Sequence, residues 1–201
     1  MKRILLLVLA ALSVPAMATE TPDYEVVKTT DDYELRRYAP YLVAEVDVNG
    51  SMSRAGNSGF RILANYIFGD NRSRTRMNMT APVESVDAGE KMAMTAPVES
   101  VSSGDGYTYA FVMERRYTMD TLPMPNDSRI RIIERPERLV AVTRFSGRMS
   151  NGLYERKRSE LVSALERDGV EVLSGAMLAR YDAPMVPGFM RRNEIMFEIA
   201  E

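Results

Sequence analysis

The chain has 201 residues, with 26 Lys and Arg against 28 Asp and Glu, and it contains no His and no Cys. That composition excludes disulfides, thiolate metal sites, Cys nucleophiles, a Ser-His-Asp triad and any histidine ligand to a metal. A formal net charge of −2 lacks the basic footprint that sequence-independent nucleic-acid binding needs. A 45% hydrophobic fraction beside 27% charged residues is that of a globular chain, long enough to bury a core.

Lys2 and Arg3 open a basic start, Ile4 to Leu12 is an unbroken apolar run, and Ala16-Met17-Ala18 is a small-x-small ending. This is the three-part layout of a signal peptide, with cleavage expected after Ala18. The apolar run is too short for a bilayer span, which takes ~20 residues. The expectation is an exported protein, periplasmic in a Gram-negative cell and otherwise secreted, with no membrane span in the mature chain.

Tyr33 to Tyr38 alternates as a strand, and Tyr41 to Val48 is a second strand across the Ala39-Pro40 turn. Asn49-Gly50 closes the pair. Phe60, Leu63, Ala64 and Ile67 share one helical stripe, and Gly69 ends that helix. Arg76 to Ser85 and Lys91 to Ser100 read as a hairpin around Asp87-Ala88-Gly89. Tyr107 to Glu114 is another strand, and Thr121 to Asp127 is a Pro-rich connection.

The first pattern then returns. Tyr33 to Met52 aligns with Ile130 to Met149 at a constant offset of 97 without a gap. Leu42/Leu139, Val43/Val140, Ala44/Ala141, Gly50/Gly147 and Met52/Met149 are identical. A second helix follows, with Tyr154, Leu161 and Leu165 on one face, Asn151 as expected N-cap and Asp168-Gly169 as its end. Strands near Met177 to Asp182 and Glu194 to Ala200 finish the chain. Each copy has too few strands to bury its own sheet face, so the halves must join in one sheet or barrel with the helices outside. The expected fold is α+β: a distorted antiparallel barrel of two pseudo-repeats, about 24–120 and 128–201, flanked by two main helices. It forms a single domain over 19–201.

Met79 to Val86 recurs unchanged as Met94 to Val101, 15 residues later. In strand geometry its Met and Ala residues point one way, and Pro82 and Pro97 mark edges, bulges or strand ends. The methionines read either as core filler or as a soft wall for a flat apolar ligand. Glu84 and Glu99 hold equal places in the two octapeptides; exposure is the expectation for both, and a carboxylate pair the alternative. No Gly-rich phosphate loop and no metal-spaced carboxylate cluster occurs, so no catalytic residue and no metal ion is assigned and an enzyme is not expected.

Six segments appear in one order: Tyr66 to Asn71, the paired MTAPV motifs, Tyr117 to Asp127, Arg144 to Gly147, Leu178 to Pro184, and Arg191 to Ile195. In these the chain resembles the SOUL haem-binding family, in particular its bacterial members, over nearly all of the expected mature chain, from about Tyr24 to Ile199. The resemblance implies an eight- or nine-stranded antiparallel barrel with two helices, binding haem or another tetrapyrrole in an apolar groove beside the first helix. On this sequence that groove face falls on Asn57, Phe60, Leu63, Ala64 and Ile67. A single His proposed as iron ligand in some animal relatives has no counterpart here, so the porphyrin faces and propionates must carry binding. Arg72, Arg74, Arg191 and Arg192 are the propionate candidates, guanidinium groups being suited to bidentate pairing. The expected function is that of an exported binder of haem or a similar apolar planar ligand. The alternatives are a small-molecule-binding or hydrolytic module of a related two-repeat barrel, and a protein-interaction module using the same groove; the identity of any protein partner is left open.

Overall fold

The computed structural model describes residues 19–74 and 89–201. The expected leader and the first octapeptide, Glu84 included, lie outside the described residues. The first copy supplies β2 (Glu34–Tyr38), β3 (Tyr41–Asn49), α1 (Met52–Ile67), β5 (Val98–Ser103) and β6 (Gly106–Val112). The second supplies β8 (Arg131–Arg135), β9 (Arg138–Ser146), α2 (Asn151–Arg167), β10 (Met177–Arg180) and β11 (Arg192–Glu198). An edge strand, β1 (Tyr24–Thr29), precedes both, and β4 (Asn71–Arg72) pairs with β7 (Met124–Pro125) in a separate two-stranded sheet.

Nine strands form one antiparallel sheet in the order β1-β2-β9-β11-β10-β5-β6-β3-β8. Exchanging the two copies, strand for strand, turns β2 through β8 into the same order reversed. This is the pseudo-repeat, with its dyad between β5 and β10. The first strand of each copy pairs with the second strand of the other: β2 with β9, and β8 with β3. β2 and β8, and β3 and β9, keep the offset of 97 residue by residue. Gly50 and Gly147, identical in the alignment, both follow the second strand at positive φ, +114° and +136°, where a side chain is strained.

Alternation along the strands divides the core in three. Leu42, Ala44 and Val46 of β3 face α1 together with Tyr109 and Phe111 of β6. Leu139 and Ala141 of β9 face α2 with Ile195 and Phe197 of β11. The opposite face of the sheet curls onto itself around Val43, Val140, Val142, Ala110, Ala179 and Met196. Leu42 and Leu139 are therefore equivalent as well as both buried, at 8% and 9% exposure. On the curled face the two copies touch directly, since Arg138 donates to the hydroxyl of Tyr41, its own counterpart 97 residues earlier.

That face also holds charge. Glu194 of β11 is fully buried and receives five hydrogen bonds. Arg36 of β2 donates from both terminal nitrogens at 3.0 and 3.3 Å, Arg192 from Nε and a terminal nitrogen at 3.0 and 2.7 Å, and Tyr181 from its hydroxyl at 2.7 Å. Arg36 lies over the Tyr24 ring and Arg192 over the Tyr181 ring. Burial pulls the Arg36 guanidinium down, but the facing Glu194 carboxylate and the bonds to Tyr38 and Glu194 outweigh it and hold Arg36 charged. Asp182 accepts from the Arg192 amide at 2.6 Å, which clasps the start of β11 to the segment after β10.

Four expectations need correction. Lys91 to Pro97 is not a strand: Met92 donates its amide to Ile67 and Ala96 donates to Glu20, and the ladder begins at Val98 because Pro97 has no N–H. The hairpin partner of β5 is β6, across Gly104-Asp105. The α2 N-cap is Ser150, one residue before Asn151, its hydroxyl accepting from the Leu153 amide. Glu99, expected at the surface, points into the curled face at 2% exposure and accepts from the Tyr41 hydroxyl at 2.8 Å.

Two substitutions test this packing. Glu194→Ala leaves Arg36 and Arg192 facing each other in the interior and should cost about 3–5 kcal/mol in urea unfolding; a loss below about 1 kcal/mol would show the clasp to be incidental. At Gly59 an added Cβ would lie 2.9 Å from Tyr109 Cδ2. Gly59→Ala should therefore destabilise by about 1–3 kcal/mol despite the better helix propensity. Gly152→Ala, with nothing within 4 Å, should change stability in the opposite direction or not at all. Equal gains at both glycines would contradict the close approach of α1.

Candidate ligand-binding cleft

α1 lies over β3 and β6, and α2 over β9 and β11. The central pair β5 and β10, on the dyad, thus has its helix-facing side left between the two helices. Strand register lays out the floor. Arg180, Val98 and Phe111 form one row across β10, β5 and β6, and Leu178, Ser100 and Tyr109 form the next. Leu178 packs with the α2 core and Phe111 with the α1 core, which fixes the side they face. Phe60 of α1 stands edge-on to Phe111 with ring centroids 5.3 Å apart and remains 37% exposed. At the far end Tyr154 of α2 and Tyr107 of β6 are close enough to interact electrostatically, and burial raises the Tyr154 hydroxyl above its usual range. Tyr109 is held beneath Gly56 and Gly59 by a 3.0 Å hydrogen bond to the Met52 carbonyl. The cleft is therefore narrow, aromatic along the α1 side, and set by two glycines that let α1 sit close.

The five groove candidates separate. Asn57 and Phe60 are exposed on the α1 flank, and Phe60 reaches the cleft floor. Leu63 and Ile67 are buried at 0% and 1% in the core between α1 and the sheet, and Ala64 is buried at 8%. The apolar stripe read from the sequence is thus chiefly the helix's packing face, and its rim is what meets the cleft.

The four cation candidates are not brought together. Arg191 donates to the carbonyls of Val186 and Pro184 and braces the loop between β10 and β11. Arg192 is engaged with Glu194. Arg74 donates to the Met119 carbonyl, and Arg72 is exposed on β4. Tyr66 and Asn71 of the YIFGDN segment are structural as well. The Tyr66 hydroxyl donates to Pro123 at 2.7 Å, and the Asn71 side chain bonds the backbone of Tyr66 and Glu90.

The cation that does face the cleft is Arg180, which sequence reasoning passed over. It belongs to the LARYDAP segment, and its strand parity with Leu178 was the available signal. Arg180 is half-buried, and burial lowers it from the usual guanidinium range, opposed only in part by Tyr109 among the described residues. Its Nε is buried without a partner.

Two cavities lie elsewhere. One of about 190 Å³ opens on the curled face beside Arg135, Arg138, Val140, Met177 and Met196. A more polar one of about 360 Å³ lies between the β1–β2 turn and α2, beside Asp31, Asp32, Lys157 and Glu160. Among the described residues no group of three or more acidic side chains is placed to hold a metal ion, and no helix is long and apolar enough to cross a membrane.

Similar proteins agree with this architecture. Human heme-binding protein 2 is 28% identical over 166 residues, covering 80% of this chain and 76% of the human protein. The crystal structure of the EcmrR C-terminal domain superposes with a TM-score of 0.60 at 9% identity, over 89% of this chain and 98% of that one. A hydrolase from Listeria innocua gives 0.52 at 12% identity, over 87% and 94%. At such identities the two structures share the fold alone. Residues 19–198, nearly all of the chain beyond the expected leader, match the SOUL heme-binding protein family, and the chain belongs to that family.

Proposed function

We propose that this protein is exported and binds haem or a related tetrapyrrole in the cleft between α1 and α2, without an axial histidine. Family membership supplies the ligand class. The observation that carries the location is the central pair β5 and β10, which lies between the two helix-covered strand pairs, with Phe111, Val98 and Ser100 on its helix-facing side and the partly exposed Phe60 at its rim. A porphyrin is flat and apolar except for its carboxylates. A narrow slot with aromatic edges and a guanidinium at one end fits those faces and that charge. The sequence has no His, so the fit is to the porphyrin body and its carboxylates, and contact area rather than iron ligation supplies the affinity.

Two measurements test the reading. Haemin and iron-free protoporphyrin IX should bind with similar affinity, below about 100 micromolar or roughly −5.5 kcal/mol, followed by absorbance and by fluorescence. Phe60→Asp should weaken both alike while circular dichroism stays native, since Phe60 is partly exposed rather than core. A much tighter haemin complex would reveal an iron ligand, and no binding by either would sink the tetrapyrrole reading. For export, the protein recovered from the exported fraction should begin at Thr19; recovery there with Met1 intact would contradict it.

A further inference from the structure

We propose that Arg180 makes the cleft selective for anions: the preferred ligand is a flat apolar body carrying a carboxylate or sulfonate that docks on this guanidinium. The inference rests on the reading of the cleft as the ligand site, and it names the chemistry by which that site would choose.

A guanidinium offers five N–H donors and accepts nothing. Arg36, Arg192, Arg135 and Arg138, also buried or half-buried, each make at least one side-chain bond, although Arg135 and Arg138 also leave Nε without a partner. Arg36 bonds Glu34 and Glu194, Arg192 bonds Glu194, Arg135 bonds Glu45, and Arg138 bonds Tyr41 with Glu198 at 4.0 Å. The Arg180 side chain makes no hydrogen bond and no ion pair with any of the described residues, and its Nε is enclosed. Burying a charge without a partner is unfavourable, and folding gains nothing from holding one there. A methionine or leucine in its place would pack against Val98 and Leu178 without that cost.

The position explains what the charge is for. Arg180 stands at the C-terminal end of β10, in register with Val98 and, through it, with Phe111. Phe111 is the ring on which Phe60 rests. A planar ligand lying along Phe60, Phe111 and Val98 therefore ends at Arg180. A carboxylate there would receive charge-assisted hydrogen bonds in surroundings where water competes poorly. A neutral ligand of the same shape would leave the guanidinium unpaired. Such a residue lowers the stability of the empty protein and raises specificity for the right ligand, a common trade at binding sites.

The test compares protoporphyrin IX with its dimethyl ester, and adds 1-anilinonaphthalene-8-sulfonate as an anionic probe that is not a tetrapyrrole. Each is titrated by fluorescence against the wild-type protein, Arg180→Gln and Arg180→Lys. The wild type should prefer the diacid over the diester by about tenfold or more. Arg180→Gln should abolish that preference by weakening the diacid while the diester binds as well as before or better, and Arg180→Lys should keep part of it. Because the Arg180 side chain makes no hydrogen bond or ion pair with the described residues, Arg180→Gln should melt at or above the wild-type temperature. Equal binding of diacid and diester by the wild type would overturn the inference and leave the tetrapyrrole reading standing. A lower melting temperature for Arg180→Gln would also overturn it, by showing a structural role. If neither porphyrin binds, the tetrapyrrole reading falls and the sulfonate probe decides. Binding lost in Arg180→Gln supports the anion site, and binding that is absent or unchanged in the variant overturns it.

Discussion

The constraint on which the structure depends is the exchange of first strands between the two copies. β2 completes the second copy's sheet through β9, and β8 completes the first copy's through β3. Neither copy can bury its sheet faces alone, so the halves fold as one unit or not at all. The same exchange sets the overall geometry. Each helix lies over the β3–β6 or β9–β11 pair of its own copy, and the dyad pair β5 and β10 is left between them. The position of the cleft follows from the symmetry of the sheet.

The curled face on the other side of the sheet has a different character. It combines small apolar residues with buried charges, bonded most tightly at Glu194, where two arginines and Tyr181 satisfy one buried carboxylate. A carboxylate with five donors is stable in the interior, where one with none would be protonated or would unfold the region. This accounts for much of the YDAP and RRNE segments that carry the family resemblance. Tyr181, Asp182, Arg191, Arg192 and Glu194 bind β2, β10, β11 and the intervening loop to one another. These motif residues therefore act on the scaffold, while Arg180, immediately before them, faces the opposite side of the sheet.

Much of the fold was legible in the sequence because the repeat is written in it twice. The 97-residue offset located both leading strand pairs, and the glycines that end them share a backbone requirement that explains their identity. What was missed had physical reasons. β1 is exposed along its whole length, so it carries no buried alternation to detect. The octapeptide alternates like a strand, but Pro97 delays the ladder until Val98. For the cleft, the helical stripe marks the side of α1 that packs on the sheet and not the rim beside it. Periodicity reports the face that packs, and Leu63 and Ile67 belong to the core while Phe60 forms the rim. The arginines of the conspicuous RRNE motif drew the reading, although bidentate geometry suits a protein carboxylate as well as a ligand's. Arg180 could be singled out only once its neighbours across β5 and β6 were known.

The measurement that bears most directly on the account is a two-dimensional amide NMR titration of the protein with protoporphyrin IX. The account predicts that shifts concentrate on the dyad cleft: Phe60 on α1, Val98 and Ser100 on β5, Phe111 on β6, Tyr154 on α2 and Arg180 on β10. Shifts concentrated instead around Arg138, Val140 and Met196 on the curled face, or no shifts at saturating porphyrin, would contradict it.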